Sequence, residues 1–210
     1  MFKDRFEAAK RLVEKLIKYK DRKDAIILAI PRGGLQVGYV LARQLSIPLD
    51  IIIVKKIPFP GNPEYAIGAV GMDEVVIDRE VVAANSISDK YIDGEVKELT
   101  GAIKERYRNY RGDRPLPGLK GKTVILTDDG LATGHTMLAA VDIVKRQGPK
   151  KIVLAVPVAP PETIRKFEGV VDEVVCLDQP SFFFAIGQFY EDFGQVEDEE
   201  AIRLLKEANG

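Results

Sequence analysis

The chain has 210 residues, is 46% apolar and 30% charged, and carries a formal net charge of −1, which suits one ordinary domain with a real core. That near-neutral balance speaks against a general nucleic-acid surface or an anionic-membrane surface, so any phosphate must be held by local groups. A single cysteine, Cys176, excludes an intrachain disulfide framework and a cysteine zinc site.

From the N-terminus, Phe2, Phe6, Ala9, Val13 and Leu16 recur at helical spacing and predict an amphipathic helix over 2–17. Met1 to Lys20 is charged throughout, unlike a signal peptide, and no apolar run approaches the roughly 20 residues that span a bilayer. The expected location is therefore the cytoplasm, with no membrane partner. Ala25–Ile30 is a short apolar run that stops at Pro31-Arg32-Gly33-Gly34, and a helix follows from the spacing of Val37, Val40, Leu41 and Leu45. A second run, Leu49–Val54, ends at Lys55-Lys56. Two weaker strands are expected near Ala66–Val70 and Glu74–Ile77, then a long helix marked by Ile92, Val96, Leu99, Ile103, Tyr107 and Tyr110. Further apolar runs lie at Thr123–Leu126, Ile152–Val156 and Val174–Leu177, with helices between them, and a last helix is expected over 198–208.

Five short runs without clean alternation, separated mostly by helices, predict an α/β fold: a central parallel five-stranded sheet with helices on both faces. The expected organisation is a core over about 22–178, a mobile hairpin over about 57–78, and a C-terminal aromatic hood over about 178–210 that includes the N-terminal helix. Ligands bind beyond the carboxyl ends of such strands.

Val124-Ile125-Leu126-Thr127-Asp128-Asp129-Gly130-Leu131-Ala132-Thr133-Gly134-His135-Thr136 carries the chemistry. A buried strand runs into two carboxylates and then into a small-residue turn that opens a helix near Thr136. Gly130 and Gly134 allow a ligand to approach the main chain, while Thr133 and Thr136 offer hydroxyls. Free N–H groups at the helix start favour a phosphate monoester. Two carboxylates would repel that anion, but they suit a diol, whose hydroxyls donate charge-assisted hydrogen bonds. Phosphate at one end and diol at the other describe a phosphorylated ribose. The Gly-Lys-Ser/Thr ending of a Walker A loop is missing.

This segment resembles the 5-phosphoribosyl-1-diphosphate (PRPP) motif of type I phosphoribosyltransferases throughout Val124–Thr136. Among such proteins the chain looks most like predicted members whose acceptor is unassigned. The resemblance implies that Asp128 and Asp129 hold the ribose hydroxyls, and that Gly130 and Ala132 to Thr136, with His135 at the variable position, cradle the 5′-phosphate. It implies that Arg32, Gly33 and Gly34 form the diphosphate loop and that Lys55 and Lys56 reach phosphate oxygens. Asp128, Asp129 and Arg32 are the implied catalytic residues. Mg²⁺ is the implied cofactor, held mainly through substrate and water, with Asp128 or Asp129 as a candidate ligand. Pro58–Gly71 resembles the mobile loop that closes over the reaction centre, with a plain surface hairpin as the alternative. Arg106, Arg108, Arg111 and Arg114 stand either as a solvated helix end or as a phosphate site. The tail at Ser181–Phe184 and Phe189–Phe193 either stacks on a base or packs the hood. Cys176 reads as an inert core thiol.

The implied function is transfer of a 5-phosphoribosyl group from PRPP to a nitrogenous acceptor, a nucleobase, by a homodimer with no nucleic-acid partner. The alternatives are a PRPP sensor without turnover and a PRPP or nucleotide hydrolase.

Overall fold

The computed structural model describes residues 1–210, apart from the side chain of Glu64. In chain order the elements are α1 (Arg5–Leu16), β1 (Ala25–Ala29), α2 (Gly33–Leu45), β2 (Leu49–Ile51), β3 (Lys55–Phe59), β4 (Asn62–Val70), β5 (Val75–Ile77), α3 (Arg79–Ala84), α4 (Asp89–Arg111), β6 (Thr123–Thr127), α5 (His135–Arg146), β7 (Lys151–Val158), α6 (Pro161–Arg165), β8 (Glu173–Asp178) and α7 (Asp198–Ala208). Five strands form a parallel sheet in the order β2-β1-β6-β7-β8, while β3, β4 and β5 form a separate antiparallel sheet.

The five-stranded sheet is covered on both faces, which explains its unbroken apolar runs. Successive side chains of one strand enter opposite layers. Ile27, Ala29, Ile125 and Val153 face α1, α2, α4 and α7, whereas Ile26, Leu28, Val124, Leu126 and Leu154 face α5 and α6. The order of strands creates the crevice. From β1 the chain moves outward to β2, and β6 lies on the other flank of β1, so β1 and β6 meet at a switch point. Their ends align, with Ala29 beside Thr127 and the Ile30 amide donating to the Thr127 carbonyl at 3.0 Å.

The second apolar run is divided between the two sheets. β2 stops at Ile51; Ile52 still donates to the Ala29 carbonyl, and the Ile53 amide donates to the buried Tyr107 hydroxyl at 3.1 Å. Lys55 and Lys56 therefore open β3 and do not end β2, which corrects the sequence expectation. Periodicity cannot detect that change of sheet, because Ile52 and Ile53 stay buried throughout.

The segment Pro58–Gly71, read either as a mobile loop or as a surface hairpin, is mostly paired strand. β3 and β4 are joined by a tight turn at Pro60-Gly61, with Gly61 at φ 76°, as a turn with proline before a positive-φ glycine demands. A register shift around Pro58 absorbs the missing proline donor. The short helix α3 was not legible in the pattern; Asp78 caps it by accepting from the Val81 amide.

The two chain ends form one layer over the sheet. The Phe2 amide donates to the Phe189 carbonyl at 2.7 Å, and the Glu191 amide donates to the Phe2 carbonyl at 2.8 Å. Phe2, Tyr190, Phe189 and Phe193 pack there with Val158 and Ile186. Among the described residues, no helix is long and apolar enough to cross a membrane.

Candidate functional site

The loops after β1 and β6 touch at the switch point. A Cβ built on Gly33 would stand 2.0 Å from Asp129 Oδ2, and one on Gly34 would stand 3.0 Å from the Asp128 Cα. Only glycines let the first loop lie against the acid pair this closely. Gly33 and Gly34 also begin α2, so the loop passes straight into a helix. Arg32 precedes them after a cis Pro31-Arg32 peptide; its side chain is one-third exposed and, among the described residues, makes only long ionic contacts, 3.8 Å to Glu197 and 4.0 Å to Asp198.

The turn after the acids runs to Gly134, which caps α5 at φ 75° and ψ 0°, so the helix begins at His135, one residue before the expected start. Its carbonyls point back into the protein. Thr163 donates to the Ala132 carbonyl at 2.5 Å and Lys166 to the Thr133 carbonyl at 2.9 Å. Among the described residues, no acceptor meets the main-chain N–H groups from Ala132 through Met137. Ala132, Thr133, His135 and Thr136 are exposed. The result is a row of unbonded amides at the positive end of a helix, an arrangement suited to a phosphate.

The two acids are not equivalent. Asp129 is buried, and its Oδ2 accepts from Arg5 Nε at 2.6 Å. Asp128 is half-buried; its Oδ1 accepts from the Asp129 amide at 2.8 Å, and its Oδ2 has no partner among the described residues. Burial pushes both carboxyls above the usual range, Asp128 further because the charge of Asp129 lies beside it, while Arg5 pulls Asp129 back. A diol or a cation would relieve that crowding of negative charge.

Lys56 lines an open cleft of about 500 Å³ between α5 and the small sheet, together with Tyr65, His135 and Asp142. It is thus on the His135 side of the turn before α5, whereas Lys55 is half-buried and does not line that cleft. Of the arginine cluster, Arg111 is committed to structure: it pairs with buried Asp50 at 2.7 Å and donates to the carbonyls of Arg114 and Pro115. Arg108 is exposed. The aromatic tail is divided: Phe183 packs on Phe189, while Phe182 and Phe184 are 83% and 90% exposed on a loop tied to the Gln188 side chain. Cys176 donates to the Asp178 carbonyl, and burial raises its thiol to about 11, which disfavours the thiolate.

Arg5 and Tyr190 were absent from the sequence-derived site. The Tyr190 hydroxyl donates to the Asp129 carbonyl at 2.6 Å. A signal for Arg5 existed: it continues the buried stripe Ala8, Ala9, Leu12, Leu16 of α1, where a charge needs a partner.

A glycine loop, an acid pair and a helix start with unbonded amides meet at the switch point of a parallel sheet, the place where α/β folds of this class bind their ligands. The family model described as phosphoribosyl transferase domain matches residues 2–193. A Mycobacterium tuberculosis (strain H37Rv) protein named "Putative phosphoribosyl transferase Rv0571c" is 36% identical over 210 residues, covering 100% of this chain and 47% of that protein. The crystal structure of TT1426 from Thermus thermophilus is 39% identical, with a TM-score of 0.88 over 100% of this chain and 99% of that one. A hypoxanthine-guanine phosphoribosyltransferase from Bacillus anthracis, 15% identical with a TM-score of 0.50 over 85% of this chain and 80% of its own, shares the fold. The chain belongs to the phosphoribosyl transferase domain family. It spans about half the length of the mycobacterial relatives it matches.

Proposed function

We propose that this chain binds PRPP with Mg²⁺ and transfers its 5-phosphoribosyl group to a nitrogenous acceptor, a nucleobase, releasing diphosphate. The observation that carries this reading is the contact of Gly33-Gly34 with Asp128-Asp129, immediately before the free amides of Ala132–Met137. Sugar phosphate, diol and diphosphate then have adjoining sites in the order that PRPP presents them.

The amides of Ala132–Thr136 hold the 5′-phosphate, with the Thr133 and Thr136 hydroxyls in reach of the same turn. Asp128 accepts from the ribose hydroxyls, and Asp129 backs it. Arg32 and the amides of Gly33 and Gly34 take the diphosphate, with Lys56 near the phosphate turn. A nitrogen lone pair attacks ribose C1 as the C1–O bond breaks, and the electron pair leaves with diphosphate. The protein's contribution is positional and electrostatic. Among the described residues, no three His, Cys, Asp or Glu side chains form a cation cage. The donor set suits an ion held by substrate oxygens and water, with Asp128 Oδ2 as the protein ligand. When bound, Mg²⁺ offsets charge on the leaving diphosphate. The exposed rings of Phe182 and Phe184 offer apolar faces for an acceptor base at the hood.

The test is diphosphate release from PRPP with and without a panel of bases. Release that depends on a base supports transfer. Release without any acceptor supports a hydrolase instead, and PRPP affinity without release supports a sensor. Replacing Asp128 and Asp129 together by Asn should lower PRPP binding or turnover at least tenfold, about 1.4 kcal/mol; an unimpaired double variant removes the ribose assignment.

A further inference from the structure

We infer that Arg5 is a positioning residue: it fastens Asp129 to the hood, fixes the acid pair for ribose, and makes the ribose site depend on the seating of the two chain ends. This rests on the reading of Asp128 and Asp129 as the ribose carboxylates.

The residue lies on the first turn of α1, which Asp4 caps by accepting from the Glu7 amide. Its side chain is 7% exposed, and two of its three nitrogens donate within the protein. Nε donates to Asp129 Oδ2 at 2.6 Å, Nη1 donates to the Gly194 carbonyl at 2.9 Å, and the guanidinium lies 3.7 Å from the centre of the Phe193 ring. Phe193 in turn stacks on Tyr190 at 5.0 Å, and the Tyr190 hydroxyl donates to the Asp129 carbonyl. Asp129 is thus held at its side chain by the N-terminal helix and at its main chain by the C-terminal tail.

A stability role alone explains this arrangement poorly. A buried ion pair contributes little net stability after desolvation, and Arg5 only partly offsets the burial of the two carboxyls, which both stay raised. What the pairing does supply is direction. With Asp129 Oδ2 engaged by Arg5 and Asp128 Oδ1 by the Asp129 amide, Asp128 Oδ2 is left on the less buried of the two acids with no partner among the described residues, beside the remaining oxygen of Asp129. The Gly33 main chain closes over the engaged side, since a Cβ there would also stand 3.2 Å from Arg5 Nε. The planar fork of arginine suits a group that must bond two oxygens in fixed directions and stack on a ring; an ammonium group does not. Gly130 leaves room for Ile186 of the hood, so the hood presses on the same turn that Arg5 and Tyr190 tether.

The experiment titrates ribose 5-phosphate with Mg²⁺ into the full chain by calorimetry, using wild type, R5M, R5K, D129N, R5M/D129N and D128N, with near-ultraviolet circular dichroism to verify folding. R5M should weaken binding at least tenfold. In the D129N background the same change should weaken it less than twofold further, because its target has gone. R5K keeps the charge and the fold but should bind at least fivefold more weakly than wild type. Wild-type affinity in folded R5M or R5K overturns the inference, as do losses in R5M and D129N that multiply in the double variant. If R5M does not fold, R5K decides alone. D128N separates the two levels: wild-type binding in D128N removes the ribose reading itself, while lost binding in D128N beside intact binding in R5K removes only the role of Arg5.

Discussion

The two edges of the parallel sheet treat charge in opposite ways. At the amino edge, Glu173 at the start of β8 is met by Lys151 Nζ at 2.7 Å, Lys18 Nζ at 2.8 Å and the Tyr19 hydroxyl at 2.7 Å. Burial raises its carboxyl, but those three donors outweigh that and hold it at about 2. At the carboxyl edge, two adjacent carboxylates share one arginine, and burial pushes both upward. One edge has donors in excess and is at rest. The other carries unrelieved negative charge, which a folding optimum would avoid and a binding site for a diol and a cation requires.

The strongest test of that contrast uses a third pair. Arg111 and Asp50 are as buried as Arg5 and Asp129, with side chains 7% and 10% exposed, but here one carboxylate is favoured by two arginines, Arg111 and Arg114. Arg111→Met should cost about 3–5 kcal/mol in urea unfolding, by leaving Asp50 unpaired, and should leave ribose 5-phosphate affinity within twofold. A tenfold loss of affinity would mean that burial alone, not position, couples such pairs to the site.

Glu173→Gln sharpens the contrast through pH. The native carboxyl titrates below its unfolded value, so the folded state binds fewer protons and its stabilisation exists above about pH 4.5. It fades as pH falls toward about 2. Wild type should lose stability through that window, and the variant should show a flatter acid limb in thermal melts. Identical limbs would refute the role of the cluster.

The smallest effect should come from Asp128→Asn. The native carboxyl is raised, so its ionisation opposes folding, and its contribution to stability falls as pH rises through the native value. The variant should therefore be more stable at pH 7.5, by about 1 kcal/mol, while losing ligand affinity. A destabilised variant would show that the acid pair supports the fold, and the contrast between the edges would fail.

The chain order of these features was legible before the fold. Buried strands announced themselves as apolar runs at Ala25–Ile30 and Thr123–Leu126, and the glycines and acids that follow them have few other uses. Backbone chemistry is local, so Gly33-Gly34 and Asp128–Thr136 could be recognised from neighbours in sequence. The small sheet was less clear. Pro58, Pro60 and Pro63 break the alternation that would mark a hairpin, and its pairing is bulged at Pro58.

What the sequence determined by itself was everything encoded within a few residues: strand and helix periods, the glycine turns, the carboxylate pair and the glycine-opened helix start. Only the tertiary structure decided which carboxylate faces outward and what holds the other. Arg5 and Asp129 are 124 positions apart, and Tyr190 reaches the same acid from 61 positions beyond it. No local pattern records a pairing across that distance, because it exists only once β1 and β6 lie side by side and the two chain ends close over them.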